Sequence, residues 1–202
     1  LNDVVNGVPR WGNGGVAWGD GGSTMIFTTC VITDCSSDGA SGGAFYILST
    51  GEVSRPNIFL LVACVVRRVE SRGPAPLSSV TGYRHGGGLA VLRDASAALL
   101  DCIIDGASVS GSEVGYGGAI VMQAEDRSQI ITFRRCSFFA CSVDARRTAE
   151  GGAVYTGGTP CSGRNCVEFV ADVGFVGCSI SRCRVNATAT SPGVVDGFEI
   201  LN

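Results

Sequence analysis

The chain has 202 residues, 45% of them hydrophobic, with 30 glycines, 10 cysteines and a formal net charge of −3. That length fits one domain or one block of a solenoid, and the charge leaves no footprint for nucleic acid or an anionic membrane surface. All 15 basic residues are arginine, which excludes a lysine base or Schiff base, and no apolar run approaches the roughly 20 residues that span a bilayer.

In chain order, two phrases alternate. Leu1 to Asp20 carries Trp11, Trp18 and a first Gly anchor, Gly14-Gly15-Val16-Ala17-Trp18. The bulky aromatics suit a lid over an open core, or a stacking platform for a sugar. Gly21 to Ser36 holds the first Cys phrase, CVITDCS from Cys30. After a turn at Ser37 to Ser41, the second Gly anchor opens a strand over Gly42 to Leu48, and Ser49 to Asn57 is a loop. Ile58 to Val66 is the most apolar run and leads into CVVRRVE from Cys64. Glu70 to His85, with Pro74 and Pro76, is a long surface insertion.

Gly86 to Ala107 is a compact unit with the third anchor and CIIDGAS from Cys102. Ser108 to Tyr116 reads as a Gly/Ser turn. Gly117 to Val143 is the clearest copy, with CSFFACS from Cys136. Asp144 to Glu150 reads as a loop carrying Arg146 and Arg147. Gly151 to Ile180 contains a second insertion, Gly157 to Asn165, with Cys161 and Cys166. CSISRCR from Cys178 follows, then a degenerate Gly anchor, Pro192-Gly193-Val194-Val195, and an apolar piece at Phe198 to Leu201.

Strict alternation with drifting spacers is the signature of a solenoid, in which strands keep register and loops absorb insertions. No long stretch shows the three-and-four spacing of a helix. The expectation is therefore an all-β chain: a single right-handed parallel β-helix of about six coils with irregular loops, residues 1–202 forming one domain. The chain opens at Leu1 without a signal pattern, so it is expected to be a mature or trimmed piece of a longer secreted protein.

If the Cys phrases stack, residues at equal offset form columns about 4.8 Å apart. One column reads Ile32, Val66, Ile104, Phe138, Ile180 and must face inward. A second, past a bend, reads Cys35, Val69, Ala107, Cys141, Cys183. The outward offsets place Asp34 beside Arg68, Arg67 beside Asp105 and Asp101 beside Arg135. Opposite charges on neighbouring strands favour that register and give these acids a structural task.

Ten cysteines in this length suggest an oxidising compartment. Four pairs share one spacing: Cys30/Cys35, Cys136/Cys141, Cys161/Cys166 and Cys178/Cys183. Cys64 and Cys102 fall on neighbouring coils. One reading gives four local bridges plus Cys64–Cys102. Pairing between adjacent coils, or free thiols packed as small hydrophobes, are alternatives. Zinc is disfavoured by a single His and no C-x-x-C.

The Gly-Gly-Ala-Ile of Gly117–Ile120 together with Phe138-x-x-Cys141 resembles the polymorphic outer-membrane-protein type of repeat, with its GGAI and FxxN phrases. The FxxN asparagine is here Cys35, Cys141, Cys183 or a small apolar residue. The resemblance implies a right-handed, pectin-lyase-like β-helix in a secreted or surface-displayed, often adhesive, protein. It carries no catalytic residue across.

That fold also hosts polysaccharide lyases and hydrolases, so an enzyme must be weighed. Two suitably spaced carboxylates are the minimum for glycoside hydrolysis. Asp101 and Asp105 are candidates, but their columns pair them with arginines. The single His85 reads as a loop residue. The Gly pairs open strands, so no helix terminus is offered to a phosphate. Asn186-Ala187-Thr188 is one glycosylation acceptor, expected on a surface loop. The resulting expectation is a non-catalytic extracellular module presenting Glu70–His85 and Gly157–Asn165 on a rigid shaft, without catalytic residue, metal or cofactor. Its partners would be protein subunits or cell-surface glycans. The alternative is a polysaccharide-binding or polysaccharide-cleaving domain.

Overall fold

A computed structural model describes residues 3–5, 8–10, 15–19, 22–38, 41–48, 57–73, 84–124, 129–158, 171–187 and 195–196. Two short strands, β1 (Asp3–Val5) and β2 (Val8–Arg10), pair antiparallel. Every later pairing is parallel, and each rung of the stack supplies four strands. Rung one is β3 (Ala17–Gly19), β4 (Thr24–Thr28), β5 (Val31–Thr33) and β6 (Ser36–Asp38). Rung two is β7 (Phe45–Leu48), β8 (Asn57–Val62), β9 (Val65–Arg67) and β10 (Glu70–Arg72), followed by β11 (Arg84–Gly86). Rung three is β12 (Ala90–Arg93), β13 (Ala95–Leu100), β14 (Ile103–Asp105) and β15 (Ser108–Tyr116). Rung four is β16 (Ile120–Ala124), β17 (Gln129–Arg134), β18 (Ser137–Phe139) and β19 (Ser142–Glu150). Rung five is β20 (Val154–Gly158), β21 (Ala171–Val176), β22 (Ser179–Ser181) and β23 (Arg184–Ala187). A short β24 (Val195–Asp196) lies beside β19.

Equivalent strands form four parallel sheets, I to IV in rung order. The chain is an all-β parallel β-solenoid, with no helix among the described residues. Against the expected six coils or so, the described residues make five rungs. The degenerate sixth anchor lies outside them except for Val195, which belongs to β24.

The register is the one the columns require. Ile32 pairs with Val66, Val66 with Ile104, Ile104 with Phe138 and Phe138 with Ile180. Val66, Ile104 and Phe138 are fully buried, each contributing roughly 1.5–3 kcal/mol of transfer free energy. Phe27, Phe45 and Phe59 fill one end of the core. Phe133, Phe138 and Phe175 fill the other.

Two corners explain why the Cys phrase has fixed length. Between sheets II and III the bend is two residues, and its first member is left-handed in every rung: Thr29, Ala63, Asp101, Arg135 and Gly177, at φ 51°, 51°, 55°, 50° and 61°. Between sheets III and IV the same position is Asp34, Arg68, Gly106, Ala140 and Arg182, at φ 56°, 49°, 70°, 52° and 55°. A non-glycine residue pays about 1–2 kcal/mol for that conformation. The stack holds it there because its N–H still donates to the next rung, as Ala63 N does to Leu100 O at 2.9 Å and Ala140 N to Ser181 O at 3.1 Å.

The Gly pair has a different cause. Gly117 turns the corner from sheet IV to sheet I at φ 52°. A Cβ on Gly118 would overlap the carbonyl oxygen of Gly152 and stand 2.7 Å from Ser142 N. One glycine supplies the turn and the next supplies close backbone approach. The insertions fall at the corners from IV to I and from I to II.

Three expectations are corrected. Ser37–Ser41 begins in strand β6, Ser108–Tyr116 is strand β15 rather than a turn, and Asp144–Glu150 lies in β19 rather than in a loop. Sheet IV lacks an apolar run because its inner column is small or polar in the early rungs. Ser37 and Ser71 precede Val109, Val143 and Val185 at paired positions. Pairing with flanking strands, not hydrophobic content, makes these strands. The far halves of β15 and β19 run past the shaft, carrying β11 and β24 as a side wing.

Candidate functional site

The outer surface divides by chemistry. At the bends, acids and arginines of adjacent rungs lock together. Arg68 Nε stands 2.6 Å from Asp34 Oδ1, Nη2 2.7 Å from Oδ2, and Nη2 also donates to Thr33 Oγ1 at 3.1 Å. Arg135 grips Asp101 the same way, with Nη2 2.6 Å from Oδ2. The Arg68 guanidinium and the Thr33 hydroxyl hold the Asp34 carboxyl well below the usual carboxylate range. Arg135 does the same for Asp101. Both acids are committed to the ionised form, unsuited to donating a proton near neutrality. Asp105 occupies the position opposite Arg67. On sheet IV, Glu70 accepts from Arg72 Nε at 2.7 Å and from Ser110 Oγ at 2.6 Å.

The outer face of sheet II is mainly apolar over its first three rungs. One column reads Ile26, Leu60, Ala98, Thr132, Gly174. A second reads Thr28, Val62, Leu100, Arg134, Val176. In a third column Ile58 pairs with Thr24 and Ser96, and Ile130, at 64% exposure, pairs with Asp172. Sheet III continues the surface with Val31, Val65 and Ile103, Val31 at 71% exposure. Scattered exposed aliphatics are ordinary, but a contiguous set spanning several rungs marks an interaction surface.

Sheet I carries an aromatic and aliphatic outer column: Trp18, Tyr46, Val91, Val121, Tyr155. The wing covers its far part, with Tyr116 packed on Tyr155 at 4.4 Å between ring centroids. Trp18 does not lid the core. It points outward at 56% exposure while its neighbour Ala17 packs against the interior, as alternation along a strand demands. Trp11 lies outside the described residues.

The eight described cysteines, Cys30, Cys35, Cys64, Cys102, Cys136, Cys141, Cys178 and Cys183, are free thiols. The expected local bridges are not formed, and the corners give the reason. Cys30 and Cys35, like Cys136/Cys141 and Cys178/Cys183, close the two ends of a three-residue strand. Three extended residues span about 10 Å, beyond the roughly 7 Å Cα limit for a bridge. Cys64 and Cys102 do sit on neighbouring rungs, Ile103 N donating to Cys64 O at 3.0 Å, but they too are unbridged. The thiols instead bond the carbonyl two residues back, as Cys102 does to Leu100 at 3.2 Å, or face a thiol of the next rung. Cys136 Sγ donates to Leu99 O at 3.1 Å, and the adjacent Cys102 thiol together with burial pushes the Cys136 thiol up. Cys161 and Cys166 lie outside the described residues.

Asn186 is exposed but stands on β23 rather than in a loop, its Nδ2 donating to Asp144 Oδ1 at 3.2 Å. His85 is on β11, opposite Gly115. Most of the two insertions, residues 74–83 and 159–165, lies outside the described residues. Two buried polar residues escaped the sequence reading. Asn57 Oδ1 accepts from Ser23 N at 2.5 Å across one rung, and Gln129 Nε2 donates to Gln123 O at 2.7 Å. Both open a strand of sheet II, and Pro56 directly before Asn57 was the one signal of a corner there.

Among the described residues no cluster of three or more His, Cys, Asp or Glu side chains could hold a metal ion, and no helix is long and apolar enough to cross a membrane. These features define a parallel β-helix protein with an exposed apolar patch on sheets II and III. The chain matches no family model, no curated protein and no solved structure with which it was compared.

Proposed function

We propose that the chain is a non-catalytic extracellular structural or adhesive module, a rigid β-helix that docks other protein subunits or cell-surface glycans. The observation that carries this reading is the exposed apolar surface of sheets II and III, contiguous over the first three rungs around Ile26, Ile58, Val31 and Ile103, with Ile130 and Val176 exposed further along the stack. It lies on a shaft whose sheet III keeps one register through the five described rungs. The resemblance to polymorphic outer-membrane-protein repeats and to pectin-lyase-like β-helices supports display outside the cell. Asn186, exposed on β23, is then a site for N-glycosylation in a eukaryotic source.

A polysaccharide-binding role is the second reading. It is favoured by exposed Trp18 at the position paired with Tyr46, since an aromatic face suits a sugar ring.

The experiment is a binding screen with the purified chain against immobilised glycans and cell-surface preparations. Reducing-sugar and unsaturated-uronate absorbance assays run on the same polysaccharides. The adhesive reading predicts binding that falls at least tenfold in an Ile58→Lys/Ile130→Lys variant, with no turnover. Turnover abolished by Asp101→Asn would sink it. Binding lost on Trp18→Ala and unaffected at Ile58 and Ile130 would favour the second reading.

A further inference from the structure

Among the described residues three inter-rung pairs set a buried thiol beside a partly exposed one: Cys64 with Cys30, Cys136 with Cys178 and Cys141 with Cys183. Of the exposed thiols only Cys183 stands between two arginines in the chain, Arg182 and Arg184. Cys141 closes the corner between sheets III and IV in rung four, and Cys183 closes it in rung five, directly next in the stack. Around them the register is continuous: Phe138 pairs with Ile180, Ser142 pairs with Arg184, and Arg184 N donates to Cys141 O at 2.9 Å. Neighbouring strand positions lie about 4.8 Å apart, inside the Cα range of about 4.4–6.8 Å for a disulfide. The Cys183 side chain reaches back to rung four, its Sγ 3.9 Å from Phe138 O. Cys141 is fully buried, whereas Cys183, on the outermost described rung, is partly exposed. The equivalent contact of Cys102 with Cys136 lies wholly inside the core, both residues buried. Cys35 of rung one is partly exposed, but it has Val69 at the next position of its column.

We propose that Cys141 and Cys183 form a dithiol modification site, which a small-molecule disulfide such as oxidised glutathione converts into an inter-rung disulfide. Cys183 Sγ, as thiolate, attacks one sulfur of the external disulfide. That S–S bond breaks and one thiolate leaves, taking up a proton. Cys141 Sγ, giving its proton to solvent, then attacks Cys183 Sγ and expels the second thiolate, which is protonated in turn. Two cysteines lose two electrons, and the external disulfide gains them as two thiols. The order follows from access: Cys183 can be reached from outside, and Cys141 needs only its neighbour. The electrostatics agree. The adjacent Cys141 side chain lowers Cys183 to about 7, while the Cys183 side chain, burial and the charge of Asp105 push Cys141 up. Exchange then runs through the thiolate of Cys183. The bridge pins the end rung, through β22 and β23, to the rung beneath.

The test exposes the reduced, folded full chain to oxidised glutathione, quenches in acid, alkylates remaining thiols and maps peptides by mass spectrometry. The expected product is one linked peptide pair containing Cys141 and Cys183, formed faster than any other bridge. Cys141→Ser should stop at a glutathione adduct on Cys183, and Cys183→Ser should leave Cys141 unmodified. The wild-type chain also gives a readout without any variant: hydrogen exchange in β22 and β23 should slow at least several-fold on oxidation and recover with reductant. A bridge from either cysteine to Cys178, Cys136 or any other thiol would overturn the proposal. So would a stable glutathione adduct on Cys183 in the wild-type chain, or no reaction at Cys183.

Discussion

Arg135 clasps Asp101 on the preceding rung, Nη2 to Oδ2 at 2.6 Å, and both residues stand in the left-handed conformation, at φ 50° and 55°. Asp34 and Arg68 repeat the arrangement at the next corner. Each of the two columns of bends thus carries one ion pair, tying one rung to the next.

The first prediction concerns pH. Folding lowers the pKa of both Asp34 and Asp101. A carboxyl lowered on folding stabilises the native state above its unfolded pKa, near 4, and loses that contribution as pH falls toward its folded value. Melting temperature should therefore drop steeply below about pH 4. The double variant Asp34→Asn/Asp101→Asn should start lower at pH 7 and fall less on acidification. Because the pairs are exposed, added salt should narrow the gap at pH 7. Melting curves that stay parallel from pH 7 to pH 2 would refute the assignment.

The bends give a second prediction, with opposite signs at two kinds of position. Ala63 pays the left-handed cost at φ 51° with an exposed side chain. Glycine removes about 1–2 kcal/mol of strain and adds about 0.5–1 kcal/mol of unfolded-chain entropy. Ala63→Gly should stabilise by about 0.5 kcal/mol. Gly118→Ala drives a methyl into the backbone of the neighbouring rung and should cost more than about 3 kcal/mol. Urea titration of both variants checks the pair. A destabilised Ala63→Gly would contradict the account of the corners.

Much of this was legible in the sequence because a solenoid writes its register as a repeat. The offsets of Ile32, Val66, Ile104, Phe138 and Ile180 placed residues from five rungs in one column without any long-range information. The fourth strand was not legible. Ser108 to Tyr116 alternates too weakly to show as a strand, and its pairing comes from strands on either side. The cysteine spacing misled for a related reason. Five residues is the length of a short strand plus its two-residue corner, so the spacing records the fold and not a bond. The outer apolar surface needed the structure, since Ile26, Ile58 and Ile130 look like core residues until the alternation is fixed.

The final prediction follows from position along the stack. Phe138 sits in rung four with a rung on either side and is fully buried, whereas Phe175 lies in the outermost described rung and is only partly covered. In a quasi-one-dimensional fold each rung draws stability from its neighbours, so the end rung opens first. Phe138→Ala should cost about 3–5 kcal/mol. Phe175→Ala leaves a partly solvated site rather than a closed cavity, and should cost less than half as much. Hydrogen exchange should separate the two further. Phe175→Ala should accelerate exchange in β21 to β23 while β13 and β14 keep the protection of global unfolding. Phe138→Ala should accelerate all of them together. Equal costs, or uniform acceleration in both variants, would mean that the five rungs unfold as one block.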